Sequence, residues 1–113
     1  MERRTYPRVE VSHPVLYSSN NHPRPKVAST LDLSVGGTRI ETPYGLIAGE
    51  TLKLSIAIHP QVIECRGEVV HILWQDGEGL KAGVRFDDLQ KQDELYLGQY
   101  ISYLRESGKG DLE

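Results

Sequence analysis

The chain has 113 residues, 38% hydrophobic and 26% charged, the make-up of one ordinary globular domain with a modest core. A net charge of −3 and a pI near 5.8 leave no whole-chain basic footprint for gripping a nucleic acid polymer. No apolar run approaches the roughly 20 residues that cross a bilayer, the opening residues do not read as a secretory leader, and Cys65 has no second cysteine to pair with, so a cytoplasmic protein without membrane insertion is expected.

Residues 1–8 hold few apolar side chains and include Pro7, so they read as a flexible arm carrying Arg3, Arg4 and Arg8. From Val9 the pattern has period two: Val9, Val11, Val15 and Tyr17 share a parity and predict a first strand. Residues 18–25 (Ser-Ser-Asn-Asn-His-Pro-Arg-Pro) are a turn-rich loop. A second strand is predicted over residues 26–33 and a third over 38–42, joined by the run Asp32-Leu33-Ser34-Val35-Gly36-Gly37. After a loop punctuated by Gly45 and Gly49, Leu52, Leu54, Ile56 and Ile58 alternate with Lys53, Ser55 and Ala57 in a fourth strand. His59-Pro60-Gln61 reverses the chain into a long fifth strand over residues 62–75. Its apolar parity switches, from Ile63, Cys65 and Val69 to Val70, Ile72 and Trp74, which a bulge near Gly67 or burial on both faces would explain. Ala82, Val84 and Phe86 mark a last strand.

Beyond Asp87 and Asp88 the period lengthens to about 3.6. Leu97, Ile101 and Leu104 align with Tyr96, Tyr100 and Tyr103 on one wide face, with Asp87 or Asp88 as the expected cap and Gly108 past the end. The tyrosines are expected to cover the barrel, a partner-binding stripe being the other reading. Six antiparallel strands and a C-terminal helix make a mainly β fold, a small barrel with the helix packed on it. The expected organisation is an arm over residues 1–8, a body over 9–106 and a frayed tail over 107–113.

The guanidinium is permanently charged and donates in a planar fork that fits a phosphate or the O6/N7 edge of guanine. Arg4 and Arg8, four residues apart on the arm, could hold one of each; a solubilising tail would look the same. Asp32 and Ser34 share a face if extended, and a carboxylate can accept two parallel bonds from guanine N1 and N2. Gly36 and Gly37 permit positive φ and a close backbone approach. A hairpin in which Asp32 caps local amides is the competing reading.

Arg4-x-x-x-Arg8 followed by Asp32-x-Ser34-x-x-Gly37 resembles the signature of PilZ domains, bacterial receptors for cyclic di-GMP. The likeness covers about residues 3 to 105 and takes in Gly67-Glu68-Val69-Val70, Gly83-Val84-Arg85-Phe86 and the closing helix. The resemblance implies a six-stranded PilZ-type barrel over which the arginine arm swings onto the ligand. By matching position, Arg4 and Arg8 would contact guanine edges and phosphates, Asp32 and Ser34 would read a guanine, and Gly37, beside Gly36, would leave room for it. Trp74 is the candidate stacking platform, worth roughly 1–3 kcal/mol per base; as a core residue it would be unremarkable. In the family, an arginine where Arg3 stands tends to accompany two intercalated ligand molecules, so two ligands per chain are expected.

The remaining residues point away from catalysis. His13, His22, His59 and His71 show no metal-ligand spacing, and no nucleophile elbow, phosphate-cradling loop or acid pair occurs. Neither a metal, a cofactor nor an enzymatic activity is therefore expected, and Cys65 is expected to be packing. The leading reading is a messenger receptor that changes conformation to signal to a protein partner of unknown identity. The alternatives are a PilZ-type protein–protein interaction module without nucleotide binding and, less favoured by the acidic charge, a barrel binding single-stranded nucleic acid.

Overall fold

The computed structural model describes residues 6–108. Strands β1 (Val9–Glu10) and β2 (Pro14–Ser18) stand where one first strand was expected. There follow β3 (Lys26–Ser34), β4 (Gly37–Thr42), β5 (Thr51–Ile58), β6 (Gln61–Asp76), β7 (Gly79–Phe86) and helix α1 (Lys91–Glu106). The first strand is broken by a register mismatch. Between Glu10↔Asp32 and Pro14↔Ser29, residues 11–13 face only Thr30 and Leu31. Thr30 bridges the gap: its hydroxyl donates to Val11 O at 2.6 Å and accepts from His13 N at 2.9 Å.

The sheet is antiparallel, ordered β1-β3-β2-β5-β6-β7-β4, and β4 pairs back with β3. This closes the expected six-stranded barrel, with β1 as an extra strand on β3. Closure satisfies the backbone groups that an open sheet would leave at its edges. Inward positions such as Val15, Ile40, Leu52, Ile56, Ile63 and Val69 are fully buried. Burying each such side chain contributes roughly 1.5–3 kcal/mol. Tyr17 is buried among them because its hydroxyl reaches Thr42 Oγ1 at 2.8 Å, so no polar atom is stranded.

Bulges decide which side chains leave the core. Against β4, Leu31 is an extra residue on β3, between the pairs Thr30↔Ile40 and Asp32↔Arg39. Ala28 and Thr30 point inward, and unbroken alternation would send Asp32 inward with them. The bulge reverses the parity, so Leu33 enters the core and Asp32 joins Arg39 on the outer face. On β6 the parity switch expected near Gly67 occurs later, at Val70 and Leu73. Gly67 itself is where strands crowd: a Cβ there would lie 2.8 Å from Val84 Cγ1.

Helix α1 buries Leu97, Ile101 and Leu104 and packs against β3 and β1. Tyr96 donates to Ile58 O at 3.1 Å and the Tyr100 hydroxyl meets His13 Nε2 at 2.7 Å, tying the helix to the barrel. Tyr103 does not join them; it is 60% exposed. Neither aspartate caps α1. The N-cap is Gln90 with no side-chain bond, while Asp88 accepts from Arg66 N and pairs with its guanidinium, and Asp87 lies 3.4 Å from Arg85 Nε. Gly108, at φ 76, ends the helix as expected.

Candidate ligand-binding site

The Asp32 to Gly37 run is a β-hairpin with a two-residue turn at Val35 and Gly36, pairing Ser34↔Gly37, Leu33↔Thr38 and Asp32↔Arg39. Asp32 is 3% exposed. Its Oδ1 accepts the Arg39 N–H at 3.0 Å, while Oδ2 lies 3.4 Å from Arg39 NH1 and 3.6 Å from Arg8 NH1. Arg8 stands two residues before Glu10, the register partner of Asp32, and so reaches the carboxylate diagonally across the pair. Two guanidinium groups thus flank one sequestered carboxylate, with Arg39 about half exposed and Arg8 less so.

Ser34 is fully buried, and its hydroxyl is engaged within the turn. It donates to Gly37 O at 3.3 Å and accepts from Gly36 N at 3.1 Å, which makes Ser34 a brace for the hairpin. The glycines work differently from the expectation. Among the described residues only Gly49 and Gly108 have positive φ, so neither Gly36 nor Gly37 uses the left-handed region. Gly37 is required by close packing instead, since a Cβ would run into the Val84 carbonyl oxygen of β7.

Next to Asp32, a hollow of about 340 Å³ opens on the outer face of β4, β7 and β6, lined by Arg8, Arg39, Arg85, Gly37, Gly83 and His71 among others. Gly83 forms a low point; a Cβ on it would come within 3.1 Å of His71 Nε2. Arg85 pairs with Glu68, its register partner on β6, and with Asp87. Larger hollows of about 630 and 500 Å³ lie along α1 and over β2, β5 and β6. Chemistry selects the smaller one, because among these hollows it is the one bordered by three arginines, two of which, Arg8 and Arg39, pair with the buried Asp32 carboxylate beside it.

Of the residues singled out in the sequence, the structure brings together Arg8, Asp32, Ser34, Gly36 and Gly37. Arg3 and Arg4 lie outside the described residues. Trp74 does not border the hollow. It pairs with Lys81, two residues along β7 from Gly83 and therefore on the same outer face about 7 Å away. At 48% exposure, with Lys81 Nζ 5.5 Å from its ring centroid, Trp74 is not a core residue. Sequence reasoning missed Arg39, His71 and Arg85. Arg39 was legible from hairpin arithmetic, being as far after the Val35 and Gly36 turn as Asp32 is before it.

Burial pushes the Cys65 thiol up to about 12, with help from Asp88, Asp93 and Asp87, so it is a packing group rather than a reactive one. Among the described residues no cluster of His, Cys, Asp and Glu could hold a metal, and no helix is long and apolar enough to cross a membrane.

A search of curated proteins finds no match. Among solved structures the chain is similar to the Bacillus subtilis inhibitor of motility MotI/DgrA, at 22% identity and a TM-score of 0.80, covering 95% of this chain and 53% of that one. It is also similar to the PilZ domain of YcgR from Escherichia coli with c-di-GMP, at 18% identity and a TM-score of 0.75 over 95% of both chains. For E. coli YcgR in complex with c-di-GMP the values are 17% and 0.78, covering 96% of this chain and 48% of that one. The chain therefore spans about half the length of MotI and of that longer YcgR chain. The likeness at these identities is one of fold. The family model for the PilZ domain matches residues 2–103, nearly the whole chain. This chain belongs to the PilZ domain family.

Proposed function

We propose that the chain is a receptor for cyclic di-GMP, which binds at the hollow beside Asp32 and changes the arm's conformation to signal to a protein partner. The observation that carries the reading is Asp32 itself, a carboxylate held at the outer barrel face between Arg8 and Arg39. A guanine needs an acceptor for N1 and N2, and the messenger's phosphates need cations nearby. Family membership and the similarity to YcgR structures with c-di-GMP support the same choice of ligand.

Binding would exchange partners. Arg8, 3.6 Å from Asp32 Oδ2, is loosely paired and can leave for a phosphate or a guanine edge. Arg39 keeps the carboxylate in place through its backbone N–H. Arg3 and Arg4 would supply the rest of the clamp, with a second intercalated ligand favoured by Arg3, because a stacked pair concentrates phosphate charge that a further guanidinium offsets. Trp74 is a stacking platform in this reading, reached by a ligand extending along the outer face. Such a ligand-driven exchange calls for no catalysis, and a receptor for this nucleotide would act in the cytoplasm.

Isothermal titration with cyclic di-GMP tests the reading. We expect heat on binding, two ligands per chain, and loss of most affinity in Arg8→Ala. No heat up to high micromolar ligand would overturn it in favour of a protein–protein interaction module. A stoichiometry of one in both the wild type and Arg3→Leu would remove the two-ligand part alone.

A further inference from the structure

We infer that the outward face of α1 is a self-association surface, on which a second copy of this chain docks its own α1 antiparallel. Two large apolar side chains stand out among charged and polar ones on this face: Leu95 is 61% and Tyr103 60% exposed, and a hollow runs between them over Gly98 and Ser102. The helix residues bordering that hollow, from Lys91 to Glu106, stand three or four apart from turn to turn and so form one stripe along the helix.

The stripe is complementary to itself. A two-fold axis passing between Gly98 and Gln99 sets Lys91 opposite Glu106 of the other copy, at both ends of the contact. Leu95 then lies over the small Ser102, Glu94 meets the Tyr103 hydroxyl as an acceptor, and Gly98 leaves space for Gln99. Every contact is made twice, as an isologous interface requires. Within one chain, no ion pair among the described residues engages Lys91 or Glu106, so both charges remain available. A foreign helix would have to bring this pattern with it, whereas a second copy already carries it.

The contact reaches the motif hairpin. Val35, at the tip of the turn after Ser34, borders the same hollow, and its Cγ1 lies 3.8 Å from where a Gly98 Cβ would stand. One helix face, about 24 Å long, covers less than the roughly 800 Å² per partner of a standard interface, so the dimer is a dissociable one.

Sedimentation equilibrium on the full chain, from micromolar to about millimolar concentration, tests the proposal without any ligand. A concentration-dependent dimer is expected. Lys91→Glu and Glu106→Lys should each weaken it about tenfold, because two attractive pairs become repulsive, and the double exchange should restore it. Both single changes complement the helix dipole, so weakening does not come from a lost helix. A monomer throughout the range would overturn the proposal and leave the face to another partner. A dimer indifferent to both reversals would place the interface elsewhere and overturn it equally.

Discussion

Arg39 grips Asp32 twice, through its backbone N–H at 3.0 Å from Oδ1 and through its guanidinium at 3.4 Å from Oδ2. The two contacts have different fates under mutation. Arg39→Ala keeps the backbone bond and loses a half-exposed ion pair, worth roughly 1 kcal/mol or less. Unfolding midpoints in urea should hardly move, while affinity for cyclic di-GMP falls severalfold as a cation beside the ligand's phosphates is lost. Arg39→Lys should recover only part of that loss, since an ammonium lacks the planar fork; an Arg39→Ala variant with wild-type affinity would remove Arg39 from the site.

Asp32 itself is both a candidate reader and a structural acceptor. Asp32→Ala leaves the Arg39 N–H without its partner and two guanidinium groups unneutralised, so it should destabilise the barrel by roughly 1–3 kcal/mol. Asp32→Asn keeps an acceptor oxygen and should cost less. Both should lose nucleotide binding, since an amide cannot accept from N1 and N2 together. Urea melts alongside titration separate the two roles; equal stability of the Ala and Asn variants would mean that the carboxylate does not brace the hairpin.

Glycines at two positions should respond in opposite ways. At Gly37 a methyl group meets the Val84 carbonyl, and the β4 and β7 backbones must part to admit it. Gly37→Ala should destabilise by roughly 1–3 kcal/mol. At Gly45 nothing lies within 4 Å of an added methyl group and φ is not positive, so Gly45→Ala should be neutral or stabilising by up to about 1 kcal/mol. Denaturant titrations of the pair give the sign directly.

His13 makes stability depend on pH. Burial lowers its pKa below the ordinary 6.5, so the folded protein prefers the neutral ring. The unfolded chain binds the proton first as pH falls. Stability contributed by the neutral ring is therefore complete above about pH 6.5 and declines as pH falls from there through the lower folded value. His13→Gln should flatten this part of the profile below about pH 6.5. An unchanged slope would assign it to other groups.

The Cys65 thiol, pushed up to about 12 by burial first and by nearby aspartates second, holds roughly a thousandfold less thiolate at about pH 8 than a thiol at its ordinary 9.0. Labelling with a disulfide reagent should be slow in the native protein and rapid once denaturant is added. Fast native labelling would contradict the burial argument.

Repetition made most of the barrel legible. Leu52, Leu54, Ile56 and Ile58 announce β5 because every second residue faces one way, and Leu97, Ile101 and Leu104 announce α1 by the helical period. The failures fall where a third party intervenes. The place of Asp88 before α1 suggests a cap, but Arg66 on the neighbouring β6 takes it. The spacing of Tyr103 groups it with Tyr96 and Tyr100, yet those two bond to Ile58 and His13 of the barrel while Tyr103 stays in solvent.

The sequence by itself determined the strand and helix alternation and the residue types able to meet an anionic guanine-bearing ligand, and it carried, unread, the spacing that sets Arg39 opposite Asp32. These follow from local periods and short spacings. Only the tertiary structure decided that Asp32 faces outward, that Ser34 is spent on the turn, and that Arg85 and His71 border the same hollow. Asp32 faces outward because the Leu31 bulge reverses the parity of the rest of β3, Ser34 is spent because its hydroxyl is bonded once the hairpin closes, and the hollow needs β4, β7 and β6 in register, with a bulge at Val70 turning His71 outward.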